Sequence, residues 1–266
     1  MKHVLFCLII LLAAPFAEVA SAPTPAARNA AVVLLGEVHD NPAHHQTQAE
    51  WVAALRPAAL VFEMLTPEQA AAATPALRGD AAALEQALDW ANSGWPAFSM
   101  YFPIFTAAPA AKIYGAAVPR AQARAALMQG VAQSFGPQAA DYGLTQPLPP
   151  DQQQQREAMQ ALSHCNALPA EMLPGMVDVQ RLRDAALARA ALQALDDTAG
   201  PVVVITGNGH ARSDWGVPAY LARLRPTLAV FALGQSEAGQ IDGQFDLVID
   251  AAPVPRDDPC AAFAKD

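Results

Sequence analysis

Short runs of β-branched and aliphatic residues alternate along this chain with alanine-rich stretches of helical length, and that alternation restricts the fold more than any other feature. It is the pattern of βαβ units, in which each helix returns the chain across a sheet so that successive strands lie parallel. Strands are expected near 31–36, 59–63, 112–118, 201–206, 227–233 and 245–250. Helices are expected over 42–55, 67–73, 80–91, 99–109, 119–134, 151–162, 170–197 and 216–224. The fold class is therefore α/β, with a mainly parallel sheet flanked by helices. From 119 to 198 the helical pattern runs on without a strand, so this segment is read as a helical excursion, a lid over one end of the sheet.

The first 22 residues are set apart as an address. Lys2 and His3 give a short basic start, Val4–Ala14 is apolar, and Val19-Ala20-Ser21-Ala22 has the small residues of a cleavage site. The apolar run is too short to span a bilayer. Cys7 lies inside it with no small residues before it, so a lipid anchor is not expected. The expectation is an exported protein, periplasmic after cleavage, with 23–266 as one domain.

Lys2 and Glu18 leave together, so the net charge of −9 survives processing. With a pI near 5.0 and scattered arginines, the basic footprint of nucleic-acid binding is missing. Cys165 and Cys260 are the thiols expected to remain. An oxidising compartment lets them pair if geometry allows, and two separate part-buried thiols fit the spacing as well.

Three polar clusters follow apolar strands: Gly36-Glu37-Val38-His39 after 31–35, Glu63 after 59–62, and Gly207-Asn208-Gly209-His210 after 202–206. In an open parallel sheet the carboxyl ends of the strands share one rim, where ligands bind. Two histidines and two carboxylates are thus expected to meet. Glu37 and His39 are two apart, so on extended backbone they point the same way. Asp40 or Asn41 can cap a helix opening with Pro42, with His44 and His45 in its first turn. An acid after a strand is costly unless solvated, paired or coordinated, which draws attention to Glu63. The glycines around Asn208 allow positive-φ backbone and close approach to a ligand.

Other stretches carry weaker signals. Asp151 after Pro149-Pro150 suits a helix N-cap, and Gln152–Gln155 reads as a solvated first turn. Tyr142 lies in the Pro- and Gly-rich stretch 136–150, read as a loop.

Taken in order, Gly36-Glu37-Val38-His39-Asp40-Asn41-Pro42 with His44-His45, Trp95-Pro96, Tyr101-Phe102-Pro103-Ile104, the Ala116–Arg120 strand end, His164-Cys165, Gln180 with Arg183-Asp184, Gly207–Arg212 and Gly216-Val217-Pro218 resemble the ChaN-like haem-binding uptake family. The resemblance runs from about 31 to 221. That family is related to Tiki/TraB proteins and, more distantly, to erythromycin esterases. The resemblance implies an α/β core and a role in iron or haem uptake, with haem as the cofactor. In the family's archetype two haems lie face to face in a pocket made by a homodimer, a tyrosine on each iron. It leaves Tyr101 and Tyr142 as candidate iron ligands, His164 as an axial or propionate contact, and Arg183 or Arg212 as propionate donors.

The related proteins imply a second reading of the same rim, a hydrolase acting on a peptide or ester. There His39, His210 and a carboxylate, Glu37 or Glu63, would hold a divalent metal such as Zn or Mn and activate water. Without metal, His39 assisted by Glu37 or Glu63 would act as general base, with His210 completing the site.

Overall fold

In the computed structural model residues 22–261 are described, so the expected leader falls outside them except for Ala22. Six strands form one all-parallel sheet: β1 Val32–Leu35, β2 Ala59–Phe62, β3 Lys112–Gly115, β4 Val202–Ile205, β5 Val230–Glu237 and β6 Leu247–Ala251. Their order is β3-β2-β4-β1-β5-β6. The register sets Leu35 beside Ile205 and Leu233, and Phe62 beside Ile205. β2, β4 and β1 are therefore contiguous and end level. This shared ending makes the rim.

The three central strands read Val-Val-Leu-Leu, Ala-Leu-Val-Phe and Val-Val-Val-Ile, buried at every position. An all-parallel sheet covered on both faces requires such continuous apolar runs. Their side chains alternate between two cores. Val33, Leu35, Leu60, Phe62, Val203 and Ile205 face Trp51, Phe98, Tyr101 and Phe105 from the helices Pro42–Leu55 and Phe98–Ala107. Val32, Leu34, Val61, Val202 and Val204 face Leu182, Ala185, Ala188 and Ala191 of the helix Leu173–Thr198. Each buried aliphatic side chain contributes roughly 1.5–3 kcal/mol. Truncating Phe62, stacked on Phe105 at a centroid distance of 4.5 Å, would cost about 3–5 kcal/mol.

Several sequence expectations are corrected here. Among the described residues no strand lies between β3 and β4, and the helical excursion also supplies a layer of the core. Its long helix Leu173–Thr198 is the main cover of one sheet face, because its small and leucine side chains at helical spacing fill that core. The shorter helices Arg120–Gln129, Val131–Phe135 and Pro150–Ser163 sit outside it. β5 runs on past the expected 233 to Glu237. Its polar end is buried because Gln235 donates to the Gly36 and His44 carbonyls at 2.6 and 3.2 Å, which a hydropathy reading takes for loop. Pro149 takes the cap position of the next helix and Asp151 lies within its first turn, without a side-chain capping bond. Asn41, one of the two expected caps, does cap its helix, accepting from the Ala43 amide at 3.0 Å.

Cys165 and Cys260 form a disulfide. It ties the end of the Pro150–Ser163 helix to the carboxyl-terminal strap. Arg256 of that strap donates to both Asp40 and Glu237 beside the rim.

Candidate functional site

Immediately after β1 the chain turns outward, and Asn208 donates its amide to the Glu37 carbonyl at 2.9 Å, locking the first and third clusters together. Gly36 is required there. A Cβ would press on Asn208 Oδ1 and come within 2.9 Å of the Leu233 carbonyl oxygen. Glu37 is 2% exposed, yet both oxygens are occupied. Oε1 meets His39 Nδ1 at 2.7 Å and accepts from the Tyr101 hydroxyl at 2.8 Å. Oε2 accepts from Gln48 at 2.7 Å. Such a carboxylate fixes the His39 ring and aims its other nitrogen away.

His39 packs edge-on against Trp95, with ring centroids 4.9 Å apart, and passes over Gly207, where a Cβ would stand 3.0 Å from Cε1 and Nε2. Neither Gly207 nor Gly209 uses the positive φ that glycine allows; Gly207 has φ −64° and serves by lacking a side chain. Among the described residues no group hydrogen-bonds His39 Nε2, and it is not a buried orphan.

Glu63 Oε2 accepts from the Thr206 hydroxyl at 2.7 Å and the Gly207 amide at 2.9 Å, while Oε1 faces His210 Nε2 at 3.5 Å. His210 Nδ1 meets Asp184 Oδ1 at 2.6 Å, and Asp184 Oδ2 accepts from Arg156 at 3.3 Å. Glu63, His210, Asp184 and Arg156 thus form one alternating chain of charge. Desolvation alone would raise the Glu63 pKa, but the positive charges of His210 and His39 with the Gly207 and Thr206 hydrogen bonds hold it at about 2. Burial pulls His210 down, and Glu63 with Asp184 more than reverses this, so its pKa is raised. For His39, burial is outweighed by the Glu37 hydrogen bond and the charges of Glu63, Glu37 and Asp40, raising it to about 8.

The rim borders two cavities. One, of about 510 Å³, is lined by His39, Glu63, Trp95, Arg120, Arg183 and His210 among others. The other, of about 360 Å³, is lined by Glu37, Arg156, Met159, Asp184 and Trp215. His39, Gln180 and His210 belong to the walls of both. Glu37, His39, Glu63 and His210 therefore lie together at the rim, with His39 and His210 on both cavities, Glu63 on the larger and Glu37 on the smaller.

Other expected site residues are placed differently. Tyr101 is fully buried, between His45 and Trp90 rings, with its hydroxyl donating inward to Glu37. Burial first, and then Glu37, push its pKa far up, so the phenolate is disfavoured. Tyr142 packs into the second core against Phe135, away from both rim cavities. His164 is half-buried at the end of the Pro150–Ser163 helix, Nδ1 on the Gln160 carbonyl at 2.8 Å, and lines neither cavity. Arg212 is buried, forked onto Asp214 and stacked 3.7 Å over the Trp215 ring, which commits it to structure. Arg183 faces the larger cavity with no carboxylate partner among the described residues, and Arg120 joins it there. His44 and His45, both buried, serve the turn: the Val38 amide donates to His44 Nδ1, and His45 Nε2 bonds the His39 carbonyl.

A metal centre does not fit this arrangement. Among the described residues no group of three His, Cys, Asp or Glu side chains is placed to hold an ion. The reason is local: both oxygens of Glu37 accept hydrogen bonds, Glu63 accepts two on Oε2 while its Oε1 faces His210, and both nitrogens of His210 face carboxylates.

Sequence reasoning assigned no role to Asp184, Arg156, Gln48 or Arg120. For Asp184 the signal was present: Gln180, Arg183, Asp184 and Leu187 fall at helical spacing on one face. Gln48 carried none, since a glutamine in a surface-type helix looks ordinary.

An all-parallel α/β sheet with a histidine- and carboxylate-lined pocket at its carboxyl rim defines the general class of protein. More narrowly, the chain belongs to the haem-binding uptake family ChaN of the Tiki superfamily, whose model matches residues 24–221. Its structure is similar to that of ChaN from Campylobacter jejuni, described with cofacial haem binding, at a TM-score of 0.63 and 22% identity over 83% of this chain and 87% of that one. A weaker likeness joins it to the type III effector HopBA1, with a TM-score of 0.48 and 15% identity over 83% and 87% of the two chains. No curated protein matches the sequence.

Proposed function

We propose that this protein binds haem non-covalently in the larger rim cavity, as an exported component of iron or haem uptake. The observation that carries the reading is the make-up of that cavity. At about 510 Å³ it falls within the ~300–1,000 Å³ usual for cofactor-sized ligands. Trp95, Met64, Val118 and Leu187 offer apolar walls, and Arg120 with Arg183 offer guanidinium groups without carboxylate partners among the described residues. An apolar macrocycle carrying two carboxylates matches both requirements, since Arg is suited to fork onto carboxylate. Tyr101, Tyr142, His164 and Arg212 drop out as contacts for the reasons of placement given above. Arg183 is retained, and Arg120 is added.

Membership in the haem-binding family supports the ligand. Export to the periplasm is supported by the basic and apolar start of the sequence and by the Cys165–Cys260 disulfide, a bond that persists in oxidising compartments. Assembly of two copies around the bound haem remains part of the proposal. The metal-dependent hydrolase is not proposed, because the rim carboxylates and His210 are already engaged.

Titrating ferric haem into the purified mature protein tests the reading. A saturable Soret band is expected, weakened in the Arg120→Ala, Arg183→Ala double variant. The dimethyl ester of haem, lacking free carboxylates, should bind both proteins equally poorly. Absence of any saturable band in the wild type would sink the proposal.

A further inference from the structure

Haem in this cavity needs a donor atom for its iron. Five histidines and four tyrosines occur among the described residues, and the structure separates them by what their donor atoms already do. Tyr101 is sealed in the core and spends its hydroxyl proton on Glu37; Tyr142 and Tyr220 are buried in the second core; Tyr114, on edge strand β3, donates to Asp197 and lies outside both rim cavities. His44 uses both ring nitrogens, on the Val38 amide and the Ser236 carbonyl, and is fully buried. His45 is buried and bonded to the His39 carbonyl. His210 lies between Asp184 and Glu63. Three imidazoles keep a ring nitrogen without a hydrogen-bond partner among the described residues, His39, His45 and His164; His45 Nδ1 is buried and faces Glu37 Oε2 at 3.5 Å, and of the three only His39 lines the rim cavities.

We infer that His39 Nε2 is the iron donor of this chain and that Glu37 is its positioning residue. This rests on the haem-binding reading above. A ligating histidine commonly gives its second ring N–H to a carboxylate, which fixes the tautomer and strengthens the donor. Glu37 does this at 2.7 Å, and is itself held by Gln48 at 2.7 Å and Tyr101 at 2.8 Å. The His39 side chain is 37% exposed while Glu37 is sealed beneath it, so the supporting group is dry and the donor edge is open. Gly207 removes the one side chain that would press on that edge, and Trp95 fixes the ring from the side. In this chain the tyrosine of the site thus acts at one remove, through Glu37.

The test is the axial-ligand spectrum of ferric haem bound to the mature protein, by absorption and electron paramagnetic resonance. Wild type is expected to give an imidazole-ligated spectrum, and His164→Ala the same one. His39→Ala should lose it and regain it on addition of free imidazole, which also shows that the variant is folded. Glu37→Gln should keep imidazole ligation, lower haem affinity about tenfold, and raise the ferric/ferrous midpoint, because the ring loses its anionic partner. A phenolate-type spectrum in wild type, or a wild-type spectrum in His39→Ala, overturns the assignment while leaving haem binding intact. No haem uptake by the wild type overturns both.

Discussion

Asp184 and His210, 26 residues apart in the chain, are joined by a hydrogen bond of 2.6 Å between Oδ1 and Nδ1 in a place where Asp184 is 1% exposed. The bond links the long covering helix to the turn after β4. Because Arg156 holds the other oxygen of Asp184 and Glu63 faces the far side of the ring, the lid, the covering helix and the sheet rim are fastened through one imidazole.

Asp184→Asn should therefore act on both stability and charge. It leaves Arg156 buried without its carboxylate and His210 facing Glu63 alone, and breaking a buried pair in this way costs about 3–5 kcal/mol. The denaturant midpoint should fall accordingly. In the folded variant the imidazole resonance of His210 should titrate at lower pH than in wild type. A variant as stable as wild type would show that the chain of charge contributes nothing.

Glu63 sets the acid limb of stability. Its folded pKa, about 2, lies below its ordinary 4.5, so its ionised form stabilises the fold above pH ~4.5, and this contribution is lost as the pH falls through about 2. The shift corresponds to about 3 kcal/mol. Unfolding free energies measured between pH 5 and 2 should drop less steeply in Glu63→Gln than in wild type.

His39 has the opposite sign. Its pKa is raised to about 8, so its contribution is full below pH ~6.5 and fades as the pH rises through 8. With the side chain 37% exposed, solvent screening keeps the effect small. It should be read from the ring's own NMR titration, which should move down in Glu37→Gln.

Gly207→Ala separates site from scaffold. The backbone there is at φ −64°, which alanine adopts without strain, and the new methyl would meet the His39 ring at 3.0 Å. Stability should change by less than about 1 kcal/mol, the scale of ordinary surface or turn substitutions. Haem affinity should fall clearly. Gly36→Ala, whose methyl meets backbone, should instead destabilise the fold itself.

The Cys165–Cys260 bond closes a loop with a sequence separation of 95. Replacing both cysteines by serine should cost about 2–4 kcal/mol. Melting curves with and without reductant should differ in wild type and coincide in the variant.

The sequence by itself determined the layers of this protein and the location of its rim. Short β-branched runs such as Val202–Ile205, bounded by Gly200-Pro201 and Gly207, read as strands buried on both faces, and polar groups directly after them lie where those strands stop. Glu37, His39, Glu63 and His210 were legible for that reason. Only the tertiary structure decided what each of them does. Whether Tyr101 is a ligand or a buried hydrogen-bond donor, whether Arg212 is open or clamped on Asp214, and whether the two cysteines meet depend on contacts across 64, 2 and 95 positions of sequence separation. The periodicity of a chain records which face is buried; it does not record which buried atom finds which partner, because that is set by packing between elements whose sequences carry no mark of one another.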